Sequence, residues 1–60
     1  MKNELLSNPI PVKIKSGWYY AGKTGNCLGW VFKDQLWAIV VWDDEEDPEM
    51  FKLAGLEFLN

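Results

Sequence analysis

Seven consecutive apolar residues, Leu36-Trp37-Ala38-Ile39-Val40-Val41-Trp42, run without a break into Asp43-Asp44-Glu45-Glu46-Asp47-Pro48-Glu49. This junction constrains the fold more than any other feature of the chain. The apolar run is rich in β-branched and aromatic residues and is too short for a typical helix. It therefore predicts a strand buried on one face and at least partly on the other. The carboxylates cannot follow it into that dry environment, because an unpaired buried charge loses its hydration with nothing in exchange. The chain must leave the core at Asp43.

The remaining segments are short and extended in character. Glu4-Leu5-Leu6 has the composition of a helical turn, but Asn8-Pro9-Ile10-Pro11 stops it, since residues before proline are driven out of the helical region. Residues 1–10 therefore read as an amino-terminal arm, and 11–60 as a single domain. Val12-Lys13-Ile14-Lys15 alternates apolar with charged, as a strand does with one face on a core and the other in water. Ser16-Gly17 turns the chain, Trp18-Tyr19-Tyr20-Ala21 reads as an extended aromatic segment, and Gly22-Lys23-Thr24-Gly25-Asn26 is a group of turn formers. Cys27-Leu28-Gly29-Trp30-Val31-Phe32 is the next strand, where Gly29 predicts a bulge or sharp bend. The short connection Lys33-Asp34-Gln35 then requires antiparallel pairing with the apolar strand. After the acidic stretch, Met50-Phe51-Lys52-Leu53 alternates again, Ala54-Gly55 permits a tight turn, and Leu56-Glu57-Phe58-Leu59 closes the sequence.

Five or six short strands and no helix of useful length point to an all-β fold, and closing the sheet into a small barrel removes its exposed edges. At 60 residues such a domain hides only about 60% of the surface its unfolded chain would expose. Large rings compensate: four tryptophans, two tyrosines and three phenylalanines can each bury roughly 150–250 Å². Cys27 is the one cysteine, so an intramolecular disulfide is excluded and a reducing, cytoplasmic setting is expected. No stretch approaches the roughly 20 apolar residues of a membrane helix, so no membrane association is expected.

The order Val12-x-Ile14, Tyr19-Tyr20-x-Gly22-x-x-Gly25, Trp37-Ala38-x-Val40-x-Trp42-Asp43-Asp44 and Phe51-x-Leu53-x-x-Leu56-Glu57 resembles the SH3-like barrel of the KOW and Tudor type, over about residues 12–59. The resemblance implies five to six antiparallel strands with a short 3₁₀ turn before the last. More distantly, the succession is similar to the small ferredoxin-docking SH3-like subunits of photosynthetic NAD(P)H-dehydrogenase-like complexes. The acidic loop departs from that likeness, because ferredoxins are themselves acidic.

The inventory of reactive groups argues against catalysis. The chain contains no histidine, all six of its cations are lysines, and no serine or cysteine has a plausible base. No enzyme activity and no cofactor are expected. Cys27 reads as a small buried hydrophobe. The run of Asp43, Asp44, Glu45, Glu46, Asp47 and Glu49 reads as a solvated loop, or as a docking surface for a basic partner. A calcium loop is less well matched, because the glycine and the alternating ligand spacing of an EF-hand are missing.

Charge is unevenly spread. Residues 1–33 carry five lysines and one glutamate, net +4, whereas residues 34–60 carry one lysine and eight carboxylates, net −7, giving −3 overall. Lys13, Lys15 and Lys23, set among aromatic residues, suggest a single-stranded nucleic-acid binder as the alternative function, opposed by the negative total. Period two places Leu36, Ala38, Val40 and Trp42 on one side of the apolar strand and Trp37, Ile39 and Val41 on the other. The resemblance puts the first set inside. The second becomes an outward stripe, to be covered either by the arm through Leu5, Leu6 and Ile10 or by another protein. The expected function is thus a non-catalytic interaction module, an accessory or regulatory subunit of a larger bacterial assembly. It would dock through Trp37, Ile39, Val41, Trp18 and Tyr20, with Asp43, Asp44, Glu45, Glu46 and Asp47 selecting a basic protein partner. Self-association into a homo-oligomer is a third expectation.

Overall fold

Alternating burial along the strands decides which side of the sheet is dry. In the computed structural model, which describes residues 2–59 and their side chains from Leu5 onward, five strands occur in the order β1 (Lys2–Ile14), β2 (Thr24–Phe32), β3 (Leu36–Trp42), β4 (Glu49–Lys52) and β5 (Leu56–Phe58). A single 3₁₀ turn, Leu53–Gly55, precedes β5. All pairings are antiparallel, and the spatial order β4-β3-β2-β1-β5 curls into a half-barrel compatible with an SH3-like barrel. β2, rather than the apolar strand β3, lies at the middle of the sheet.

The concave side holds the core. Val12, Ile14, Cys27, Ala38, Val40, Trp42 and Leu56 are buried there, with Ile10, Trp30, Phe51 and Leu53 packed against them. Trp42 is its largest member at 1% exposure, and Phe51 meets the Trp42 ring edge-on with centroids 5.5 Å apart. The indole N–H of Trp42 donates to Glu49 Oε1 at 2.7 Å, so the one polar atom of that ring is satisfied where β4 begins. Ala38, Val40 and Trp42 thus point inward as the alternation predicts. Leu36, expected with them, is 43% exposed, because it pairs with Phe32 at the last rung beside the β2–β3 connection, where the half-barrel opens.

Three local expectations are met. The register between β2 and β3 slips between Cys27 and Gly29, the bulge that Gly29 suggests. The β2–β3 connection is closed by Lys33 N–H donating to the Gln35 carbonyl at 3.0 Å. The 3₁₀ turn lies where the resemblance to SH3-like barrels implies it.

Two local expectations differ from the structure. The segment read as an arm is extended and belongs to β1, with Lys2, Asn3, Glu4 and Leu5 paired to Phe32, Val31, Trp30 and Gly29. Pairing with β2 gives such a segment a row of interstrand hydrogen bonds along one side, whereas a single isolated helical turn leaves most of its N–H and C=O groups without partners. The proline-bearing stretch is absorbed as an irregularity between Leu5 and Ile10, since Pro9 has no N–H to contribute to a ladder. Trp18-Tyr19-Tyr20-Ala21, expected to be extended, is a turn in which Ala21 N–H donates to the Trp18 carbonyl at 3.2 Å and Lys23 N–H to the Tyr20 carbonyl at 3.0 Å. The turn needs left-handed backbone at Gly17 (φ 92°), Tyr20 (φ 61°) and Gly22 (φ 91°). With the chain reversed there, β2 starts at Thr24 rather than Cys27.

Candidate functional site

The β1–β2 loop and the β3–β4 loop meet at one end of the half-barrel, and backbone bonds fix each in place. Ile14 N–H donates to the Lys23 carbonyl and Gly22 N–H to the Ile14 carbonyl, both at 2.9 Å, while Lys15 N–H bonds the Gly55 carbonyl at 2.9 Å. The aromatic loop is therefore tied to both β1 and the 3₁₀ turn. On the other side, Asp43 N–H donates to the Thr24 carbonyl at 3.0 Å, and the Thr24 hydroxyl donates to Asp43 Oδ2 at 2.6 Å. Glu45 N–H returns to the Trp42 carbonyl at 3.0 Å, so the acidic loop begins as a tight turn immediately beyond the buried indole.

Lys23 joins the two loops. Its ammonium lies 3.1 Å from Glu45 Oε2 and 3.5 Å from Asp44 Oδ1. It also stands 5.5 Å from the Tyr20 ring centroid and 5.6 Å from that of Trp42, within cation–π range. The hydrogen bond to Glu45, aided by the Asp44 charge, raises the Lys23 pKa above its ordinary value despite some opposing desolvation. Around this pivot, Tyr19 is 90% and Tyr20 76% exposed. Trp18 packs on Phe51 with ring centroids 5.7 Å apart and lies so close over Gly55 that a Cβ there would come within 2.8 Å of Trp18 Cδ2.

The residues singled out in the sequence divide between two surfaces. Tyr20, Asp44 and Glu45 gather around Lys23, Asp43 bonds the neighbouring Thr24, Trp18 packs on Phe51 at the base of the aromatic loop, and Glu46 and Asp47 continue the exposed acidic loop. Trp37, Ile39 and Val41 point to the convex side of β3, and each is half-buried. Trp37 is the second residue of that strand, about 20 Å from the acidic loop at the rise of an extended chain. Its indole N–H lies 3.4 Å from Asp34 Oδ1, and the Lys52 ammonium stands 6.0 Å from its ring centroid. The first residues of β1 pair with β2 rather than with β3. No protein-family model matches the chain, and no curated protein or solved structure does so either.

Tyr19 and Thr24 belong to the site although alternation does not single them out. Their role depends on a loop reversal that only the φ > 0 residues make. Of the lysines considered for nucleic acid, Lys23 is held by the acidic loop and Lys13 lies 4.0 Å from Glu57 Oε1. Lys13 and Glu57 also line a shallow groove of about 400 Å³ with Ile14, Ser16, Ala21 and Gly22. Among the described residues, no three acidic, cysteine or histidine side chains are grouped so as to hold a metal ion. Also among them, no helix is long and apolar enough to cross a membrane. Cys27 is buried in the core, its Sγ 3.4 Å from the Gly29 carbonyl, and burial pushes the thiol pKa up.

Proposed function

We propose that this protein is a non-catalytic interaction module whose docking end is built from the aromatic β1–β2 loop and the acidic β3–β4 loop, and that its partner is a protein presenting a basic segment. One observation carries this reading: Lys23 holds the exposed Tyr20 ring beside a run of carboxylates that outnumbers the one lysine against it. In such an arrangement the carboxylates accelerate encounter with a basic partner, and burial of Trp18, Tyr19 and Tyr20 retards its departure. The strand order and the 3₁₀ turn support reading the fold as an SH3-like barrel of the KOW/Tudor type; service as an accessory subunit in the cytoplasm is part of the same proposal. The convex stripe Trp37, Ile39 and Val41 is a weaker contact surface, because each side chain is already half-covered within the chain.

The test is stopped-flow association with a synthetic oligolysine peptide at low and moderate salt. The Asp44→Lys, Glu46→Lys double variant should slow association at least about tenfold at low salt, with the difference shrinking as salt rises. Trp18→Ala should leave association unchanged and speed dissociation. Equal rates for the double variant and the wild type would reject the docking end, and tighter binding of a single-stranded oligonucleotide than of the peptide would reject the choice of partner.

A further inference from the structure

Lys23 stands where a partner's cation would be expected to dock. Its ammonium is already shared between two carboxylates, Glu45 Oε2 at 3.1 Å and Asp44 Oδ1 at 3.5 Å, and two ring faces that come from different elements, Tyr20 at 5.5 Å and Trp42 at 5.6 Å. Only about a quarter of its side chain is exposed, 24% against 71% for Asp44, which is unusual for a lysine in so small a domain. Tyr20 is brought over the ammonium by a left-handed backbone, φ 61°, a conformation that disfavours any residue other than glycine. Strained backbone of this kind persists only where the surroundings enforce it. Here they do so through the Lys23 N–H bond to the Tyr20 carbonyl at 3.0 Å.

We infer that Lys23 is an internal competitor for the basic partner, a contact in cis that must be displaced before Asp44, Glu45 and the Tyr20 ring can receive a lysine or arginine from another chain. The inference rests on the docking reading above and adds its regulation: affinity is set by the charge at Lys23, and neutralising that amine strengthens binding. This is opposite to the result expected if Lys23 merely held the site in shape.

The experiment titrates four full-length proteins, wild type, Lys23→Gln, Lys23→Arg and Lys15→Gln, with an octalysine peptide at low salt. Lys15→Gln removes the same charge from the exposed start of the aromatic loop and so reports the effect of net charge alone. Removing a like charge one contact distance from the incoming cation should tighten binding about three- to tenfold for Lys23→Gln. Lys23→Arg keeps the charge and holds carboxylates more firmly, so it should bind the peptide about two- to fivefold more weakly than wild type, and Lys15→Gln should gain less than Lys23→Gln. Equal gains for the two glutamine variants, or weaker binding by a folded Lys23→Gln, would overturn the competitor role and leave the docking end standing. If Lys23→Gln is not folded by circular dichroism, weaker binding by Lys23→Arg than by wild type would support the competitor role, because a bidentate guanidinium holds carboxylates more firmly than an ammonium. Equal or tighter binding by Lys23→Arg would then overturn it. No binding by wild type or by any variant would overturn both readings together.

Discussion

Alanine at Gly25 sets a methyl group against the neighbouring strand. An ideal Cβ built there points at the Val41 carbonyl oxygen and falls 2.8 Å from Trp42 Cα and 2.9 Å from Trp42 Cε3. Ordinary carbon contacts begin near 3.4 Å, so β2 and β3 would have to separate by more than half an ångström at the rung where Gly25 pairs with Trp42. Two of the three obstructing atoms are backbone and the third belongs to the most deeply placed ring of the core. Little can move without stretching the ladder or uncovering that ring. Overpacking typically costs about 1–3 kcal/mol, and a clash with backbone belongs at the upper end, about 3 kcal/mol. A 60-residue domain has roughly 3–9 kcal/mol in total at typical stability per residue. Gly25→Ala should therefore lower the urea midpoint by about 1–3 M at the unfolding slope of a small domain, read by tryptophan fluorescence. Gly55→Ala is the control. Its Cβ would lie equally close, 2.8 Å from Phe51 Cε2 and from Trp18 Cδ2, but both are side-chain rings, and Trp18 is 37% exposed and free to swing outward. It should cost about 1 kcal/mol or less while shifting the emission of the displaced indole. Equal losses for the two variants, or a Gly25→Ala loss below about 1 kcal/mol, would refute the argument that the rigidity of the obstructing atoms sets the cost.

Two further predictions concern the core. Trp42→Phe should lose about 2–3 kcal/mol, through removal of a hydrogen bond to a charged acceptor together with ring volume. Glu49→Ala made in that background should then cost far less than in the wild type, a coupling that a double-mutant cycle in urea measures and that equal costs would deny. Because burial raises the Cys27 pKa in the folded state, the unfolded chain releases the thiol proton first. The stability from this source is present below about pH 8.5 and is lost as pH rises from there through the folded-state value. Wild type should accordingly lose more stability than Cys27→Ala between pH 8 and 10, and its thiol should react with a disulfide reagent only as fast as the chain opens.

How far the sequence reaches can be judged element by element. The alternation Ala38, Val40, Trp42 announces its buried side because period two is a local property that any strand must express. The bulge at Gly29 and the exit of the chain at Asp43 are legible for the same reason: each follows from the backbone freedom or charge of the residues in place, whereas those residues predict only a tight turn at Ala54-Gly55 and its 3₁₀ form is what the resemblance to SH3-like barrels implies. Leu36 breaks the pattern. Whether the end of a strand is covered depends on where the sheet opens, which no residue near it encodes. Residues 2–5 were equally opaque, since local signals there favour a broken turn, and only the presence of β2 makes an extended ladder the better use of that backbone.

The candidate site shows the same division. Composition and order by themselves determined an all-β chain with apolar strands, an acidic loop that must stay in water and a cluster of aromatic residues between two glycines. Only the tertiary structure decided that the aromatic cluster and the acidic loop share one end while Trp37 lies at the other end of β3, and that Lys23 closes the gap between them. The physical reason is that side-chain periodicity is fixed within a few residues, whereas the approach of two loops depends on strand order, sheet curl and a left-handed turn at Tyr20, all of which arise only when distant segments pack together.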